Sequence, residues 1–312
     1  MTWCNFLLIY ANLLIAVFVG FHIFSISEAY KSSNIYNISQ LVGSTNRDIV
    51  FFYATQNGDG LMLSIASLRQ TGCRCRIILF VSKMFEITDS LVHFLTVNDV
   101  EIITHCDEKK GREYAPHMLR YEYELVWLEN HINEVDRILH SDAFDVFFQG
   151  DPFTSSIDNS SLTFVVEPHC IRSCGWNIAW INQCYGAGGV DRLRHHFIIC
   201  SGSISGPAIQ YLNLLKLMTS QPAWKSCWGT SLDQPILNYL VWTGEVEKSQ
   251  IQYKLTGCDG GFFTMQWCVV DKTVLMNEHN QIVSSFNTVP SYVHQYNRFP
   301  EIIKWLKELY HL

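Results

Sequence analysis

Two acidic residues offer the most chemistry. Asp142 and Asp145 follow the expected strand Asp136-Arg-Ile-Leu-His140 and precede Val146-Phe-Phe-Gln-Gly-Asp-Pro-Phe153. Carboxylates three residues apart at the end of a buried strand can converge on one hard cation. Mg²⁺ and Mn²⁺ favour carboxylate oxygen and commonly bridge to phosphates. The same spacing also suits a solvated turn with a capping Asp, and Asp151 lies in a Gly-Asp-Pro turn where capping is its natural work. His294 lies in Tyr292-Val-His-Gln-Tyr-Asn-Arg298, where a lone histidine is most often structural. Asp233 opens Asp233-Gln-Pro-Ile-Leu-Asn238, where it can cap a helix with Pro235 in the first turn or place a carboxylate beside a cationic reaction centre. Arg120, on the helix before this motif, can reach a phosphate or the acidic cluster, with a plain surface Arg as the other reading. In Cys200-Ser-Gly-Ser-Ile-Ser-Gly206 the glycines permit close backbone approach, here Ser201 and Gly202 in particular, or simply form a turn before a helix.

These residues need a scaffold. Asp48–Ala54 reads as a buried strand, ending at Thr55 and the loop Gln56-Asn-Gly-Asp-Gly60. Helical spacing over Leu61–Gln70, a strand over Cys75–Val81, a helix over Ile87–Thr96 and a strand over Val100–His105 follow. Arg112–Glu134 is mostly helical and Asp136–His140 is a fourth strand. Such alternation predicts a parallel sheet with right-handed crossovers, and ligands on such sheets bind at the carboxyl ends of the strands. Ala54, Thr55 and Asp142 lie at such ends. The second half is more mixed. Strands are expected at Leu162–Glu167 and Phe197–Cys200, helices at Ser205–Thr219 and Leu232–Val241, short strands within Ile251–Val283, and a last helix at Pro300–Tyr310.

Hydrophobic residues make up 48% of the 312 and charged residues 16%, which predicts a packed core rather than disorder. A net charge of −7 without a basic run argues against a nucleic-acid partner. From Phe6 to Ile26 the chain carries 21 residues without a charge, long enough for a bilayer span of about 20. It reads as an uncleaved signal-anchor (residues 1–27), or as a signal peptide cut near Ser27-Glu28-Ala29. Either way the remainder enters the secretory lumen. Residues 28–46 read as a polar stem. The sequons Asn37-Ile-Ser39 and Asn159-Ser-Ser161 agree with that compartment. So do the cysteines, eleven in all, of which an even number remains beyond Cys4; they suit disulfides, whose pairing is not readable from spacing. His169, Cys170, Cys174 and Cys184 leave zinc as an alternative, at a spacing that matches no standard finger.

The stretch Asp136–Phe153 resembles the metal-binding segment of GT-A fold glycosyltransferases, in which a strand delivers an acidic motif to the ion that holds the donor diphosphate. The usual motif is Asp-x-Asp; here Phe144 stands at the second acidic position and Asp145 one later. Ala54-Thr55 with Ser67-Leu-Arg69 looks like the opening nucleotide-binding unit of glycogenin-like enzymes. The Cys200–Gly206 run resembles their sugar-lining turn, with Cys200 in place of the more usual Asn. Asp233-Gln234 looks like the Asp-Gln-x-x-Leu-Asn segment of retaining members, and His294 resembles the histidine that completes the metal sphere. The resemblance spans residues 47–300 as five motifs in order. It implies an α/β GT-A fold: a Rossmann-like mixed sheet flanked by helices, a single catalytic domain at 47–312 after an N-terminal transmembrane helix. Within it, 47–153 would bind the nucleotide and 154–312 the acceptor.

The implied activity is transfer of a sugar, in the manner of a hexosyltransferase, from a nucleotide-sugar (UDP by family habit) to a glycan or glycoprotein, with retention. It would take place in the Golgi or endoplasmic reticulum, on a single-pass type II membrane protein. The metal would be Mn²⁺ or Mg²⁺ on Asp142, Asp145 and His294. Asp233 would be catalytic, and Ala54, Thr55, Arg120, Ser201, Gly202, Gln234 and Arg298 would bind substrate. Glu167–Gly189 falls where acceptor segments lie, with Trp176, Trp180 and Tyr185 as stacking or core residues. An inverting enzyme using Asp233 or Glu167 as general base, and an inactive carbohydrate-binding relative, are the alternatives.

Overall fold

The computed structural model describes residues 43–107, 116–154, 156–227 and 232–311. The apolar run Phe6–Ile26, most of the stem and the first sequon lie outside them. Among the described residues no helix is long and apolar enough to cross a membrane.

The first half alternates as expected: β1 (Asp48–Ala54), α1 (Asp59–Gln70), β2 (Arg76–Val81), α2 (Asp89–Val97), β3 (Val100–Ile103), α3 (Pro116–His131) and β4 (Arg137–Ser141). The four strands are mutually parallel, in the order β3-β2-β1-β4. Local chemistry sets some of the ends. The Thr88 hydroxyl, for example, accepts the Leu91 N–H and starts α2.

The second half continues through β5 (Val146–Phe148), β6 (Leu162–Cys170), α4 (Gly175–Leu193, kinked at Gly186), β7 (Phe197–Pro207), α5 (Ala208–Ser220), α6 (Pro222–Ser226) and α7 (Asp233–Trp242). Then come α8 (Glu245–Lys248), β8 (Tyr253–Thr256), β9 (Phe262–Thr264), α9 (Met265–Cys268), β10 (Leu275–Met276), β11 (Ile282–Val283) and β12 (Tyr292–His294). β7 joins β4 antiparallel, and β6 and β8 follow, completing a seven-stranded mixed sheet β3-β2-β1-β4-β7-β6-β8. A smaller sheet, β5-β12-β9, carries His294, and β10 pairs with β11. The described residues from 43 to 299 form one compact unit. The expected final helix, α10 (Pro300–Tyr310), belongs to the other.

β1 shows why the large sheet forms. Ile49 and Phe51 enter one apolar cluster, with Ile138, Ile204 and Tyr211; Val50, Phe52 and Ala54 enter the other, with Leu61, Ile65 and Leu68 of α1. Alternation with both faces apolar marks a strand covered on both sides. Each such side chain contributes roughly 1.5–3 kcal/mol on burial. The result is an α/β molecule with a mixed central sheet flanked by helices, compatible with a Rossmann-like fold.

Three expectations need correction. The strand expected at Phe197–Cys200 runs on to Pro207, because Ser203 and Ser205 pair with β4 and small side chains fit between two buried neighbours. The Cys200–Gly206 run is therefore strand throughout, and α5 begins only at Ala208. Gly175–Leu193 forms an unanticipated helix.

Candidate functional site

The turn from Asp142 to Asp145 is fixed from several directions. Asp142 donates its N–H to Gly202 O at 2.9 Å, and the Ser141 hydroxyl donates to Asp142 O at 2.7 Å. The Ser64 hydroxyl of α1 lies 2.6 Å from Ala143 O and 3.2 Å from Val146 O. Gln295 donates its N–H to Asp145 O at 2.7 Å, and Tyr296 donates its hydroxyl to Phe144 O at 3.3 Å. Gly60 allows α1 to abut this turn, since a Cβ there would fall 2.1 Å from Phe144 O.

Three side chains converge there. His294 Nε2 lies 3.1 Å from Asp142 Oδ2 and 3.6 Å from Asp145 Oδ1. Ligand atoms of the three all fall within 4.8 Å of one another, the single such group among the described residues. His294 is buried, whereas the Asp142 side chain keeps 33% exposure and that of Asp145 18%. The site is thus reachable from one side. Gly202 makes the room: a Cβ there would sit 2.4 Å from Asp142 Oδ2 and 2.7 Å from His294 Cε1.

Arg120 ties this centre to Asp233. Its Nη1 donates to Asp142 Oδ1 at 2.5 Å and its Nη2 to Asp233 Oδ2 at 2.7 Å. The guanidinium is 7% exposed and the Asp233 carboxylate 3%. Burial alone would raise the Asp142 carboxyl, but Arg120 and His294 hold it well below the usual carboxylate range. Asp233 is likewise held low against burial by Arg120 and His117. Asp145 goes the other way: burial raises it, although His294 and Arg298 favour the ionised form. Burial would lower His294, yet Asp145, the Cys200 thiol and the Asp142 hydrogen bond hold its proton well above the ordinary 6.5.

The remaining expected residues divide. Ser201 donates its N–H to Gln234 Oε1 at 3.2 Å, and Gln234 Nε2 donates to Asn177 Oδ1 at 2.9 Å. The Gln234 amide is thereby engaged in joining β7, α4 and α7. Asp233 is the first residue of α7 but makes no capping bond there, because its carboxylate faces Arg120. Ala54 is buried and Thr55 half-buried where β1 ends, beside β4, and Thr55 O accepts the Ser82 hydroxyl at 3.0 Å. Arg298 is exposed. Arg69 is occupied with carbonyls of Cys73, Cys75, Asn98 and Asp99, and Ser67 accepts the Phe148 N–H at 3.1 Å. Asp151 caps as expected, accepting from Gly43, Ser44 and Phe153.

The proposed stacking residues gather only in part, with the Trp176 and Trp180 ring centroids 6.2 Å apart, and among the described residues the proposed zinc ligands form no metal-binding group. Tyr185 stacks on Tyr239 at 3.8 Å, Trp180 packs against the core, and Trp176 is exposed. Cys258 and Cys268 form a disulfide, while Cys73, Cys75, Cys106, Cys170, Cys174, Cys184, Cys200 and Cys227 are thiols. The His169 ring packs against Trp267, with centroids 3.9 Å apart and planes tilted by 36°.

Sequence reasoning missed two supports. Tyr292 reaches Ser141 and Gly202 O with its hydroxyl, at 3.1 and 3.3 Å. Glu124, one turn beyond Arg120, receives His140 Nδ1 at 2.8 Å and the Tyr211 hydroxyl at 2.5 Å. The i, i+4 spacing of Arg120 and Glu124 was the available signal, since residues so spaced share a helix face. Set against known proteins, the chain matches no family model and no curated protein.

Proposed function

We propose that the chain is a metal-dependent glycosyltransferase of the GT-A type, moving a sugar from a nucleotide-sugar, UDP-linked, to a glycan or glycoprotein in the secretory pathway. The observation that carries this reading is the convergence of Asp142, Asp145 and His294 beside Gly202. Two carboxylates and an imidazole form a donor set suited to Mn²⁺, with Mg²⁺ the harder-cation alternative. With His294 neutral, the Asp142, Asp145 and Asp233 carboxylates outnumber the Arg120 guanidinium, leaving the centre negative and attractive to a divalent cation. The order of motifs along the chain and the mixed sheet are consistent with it.

Each residue then has a task. Arg120 holds Asp142 Oδ1, which leaves Oδ2 turned toward His294. The Cys200 sulfur lies 3.7 Å from His294 Nδ1; a proton on Nδ1 directed there frees Nε2 to face the cation. A bound divalent ion would hold the donor diphosphate and take up charge as it departs. Asp233 acts through Arg120, and transfer proceeds with retention. An observation favours inversion as a second reading: burial pushes the Glu167 carboxyl up to about 7, a value suited to a general base. The anomeric configuration of the product, read by NMR, decides between them.

The test of the main reading uses the full chain in detergent. Mn²⁺ with UDP-sugars should raise its melting temperature, because a ligand that binds only the folded state stabilises it. Asp142→Asn should abolish the rise and the transfer of sugar. A variant that kept both would remove the assignment.

A further inference from the structure

Of the two acceptor sequons in the chain, Asn159-Ser-Ser161 lies among the described residues, just before β6. Its flanks are held in place. Arg137, the first residue of β4, donates from Nη1 to Phe153 O at 2.7 Å and to Ile157 O at 3.1 Å. Asp158 Oδ1 accepts the N–H groups of Ser160 and Ser161, each at 2.9 Å, and its Oδ2 accepts from Lys254 Nζ at 2.5 Å. Beyond the sequon, Leu162 donates its N–H to Gln252 O at 2.8 Å. Gly206 lets β7 pass close by, since a Cβ there would fall 2.6 Å from Ser161 O. Asn159 is the part left free. It is exposed, and its amide has no hydrogen-bond partner among the described residues.

An N-linked glycan is bulky and solubilising, so the residue that carries one must face water and stay clear of the chemistry. Asn159 meets both conditions. The carboxylate centre follows the last residue of β4, whereas the loop before β6 docks on Arg137, its first. The five residues of β4, at about 3.3 Å per step, put roughly 13 Å between the two. The loop instead adjoins β8, the last strand of the large sheet, through the Asp158–Lys254 ion pair. β8 pairs only with β6 among the described strands, and Lys254 and Leu255 are exposed on it, Leu255 to 42%. An edge strand of this kind presents unpaired N–H and C=O groups to which another chain can add, unless something covers it.

We infer that Asn159 is an N-glycosylation site and that its oligosaccharide screens the open β8 edge. The donor is an oligosaccharide carried on a polyprenyl diphosphate, and a transferase of the lumen, not this chain, performs the step. The amide nitrogen of Asn159 bonds to the anomeric carbon, the bond from that carbon to the diphosphate breaks, and one amide proton passes to solvent. Nothing is oxidised or reduced. Ser161 supplies the hydroxyl that the acceptor sequence requires. The inference rests on the proposed function only for the compartment, the secretory lumen, and on the loop geometry for the choice of Asn159.

The test expresses the full chain in cells with a secretory pathway, as wild type, Asn37→Gln, Asn159→Gln, Ser161→Ala and Ser161→Thr. Peptide N-glycosidase should increase the electrophoretic mobility of the wild type. Asn159→Gln and Ser161→Ala should each lose one glycan's shift, and Ser161→Thr, which keeps the hydroxyl, should retain it. Mass spectrometry of the treated protein should find the deamidation that the enzyme leaves at Asn159. In detergent, stripping the glycan from folded Asn37→Gln should leave Mn²⁺ affinity unchanged and raise self-association, read by light scattering. A chain protected from protease in intact microsomes yet bare at Asn159 refutes the site and leaves the proposed function standing. A chain open to protease on the cytosolic side, with both sequons bare, refutes the site together with the secretory placement of that function. A glycan at Asn159 whose removal leaves self-association unchanged refutes the screening of β8.

Discussion

Two carboxylate–imidazole clusters lie side by side at the end of β4, and only one is open. Glu124, His140 and Tyr211 are closed in the core, with the His140 and Glu124 side chains 0% and 1% exposed. Asp142, two residues beyond His140, joins Asp145 and His294 in the other, with 33% of the Asp142 side chain exposed. α3 serves both: Glu124 meets His140, and Arg120, one helical turn away, meets Asp142. One helical turn rises about 5.4 Å and two strand residues about 6.6 Å, so helix and strand stay in step over both contacts. The chemistry of the two clusters is similar. What differs is access, and access decides which one is free to take a cation. The closed cluster anchors α3, and the anchored helix presents Arg120 to the open one.

The comparison can be broken most forcefully at Arg120. Arg120→Met leaves Asp142 and Asp233 without their shared cation, and loss of one side of a buried pair costs about 3–5 kcal/mol. Urea unfolding of the full chain should show that loss in the midpoint, and a change under about 1 kcal/mol would mean that the bridge is dispensable.

The two clusters should then respond oppositely. Glu124→Gln, with Tyr211 and His140 left facing a neutral amide, should cost roughly 1–3 kcal/mol of stability and leave Mn²⁺ affinity within about twofold. Asp142→Asn should cost less stability and weaken Mn²⁺ at least tenfold, about 1.4 kcal/mol of binding. Equal effects of the two substitutions on Mn²⁺ would erase the distinction between anchor and site.

The smallest effect is a proton coupling at the open cluster. His294 holds its proton above the ordinary 6.5 against the opposing effect of burial, and Mn²⁺ requires the neutral ring. Affinity for Mn²⁺ should therefore rise with pH, by at most about tenfold per pH unit for one displaced proton, until His294 is deprotonated. Asp142 is held low and adds nothing above its own range, whereas burial raises Asp145, which adds a second proton as pH falls through its own range. In the metal-free chain the same shift contributes stability that is full below pH 6.5 and is lost as pH rises through the folded value. Calorimetric titrations at several pH values, in buffers of different ionisation enthalpy, read the released proton directly.

Much of the scaffold was legible in the chain. The alternating apolar residues of Asp48–Ala54 and the helical spacing of Leu61–Gln70 report their own burial, because periodicity follows from strand and helix geometry. The presence of Asp142, Asp145 and His294 and their order were legible too. Their convergence depends on β5 and β12, paired through Val146 and His294, and strands of three residues carry too little pattern to be seen. The partner of Asp233 was hidden for a related reason. A helix-opening Asp reads as a cap, and only the packing of α3 against the sheet brings Arg120, 113 residues away, within 2.7 Å. Gly202 could be read as a place of close approach, but what approaches it was decided in three dimensions. Residue types and periods are local properties that the chain states directly, whereas which side chains meet is set by the packing of distant elements.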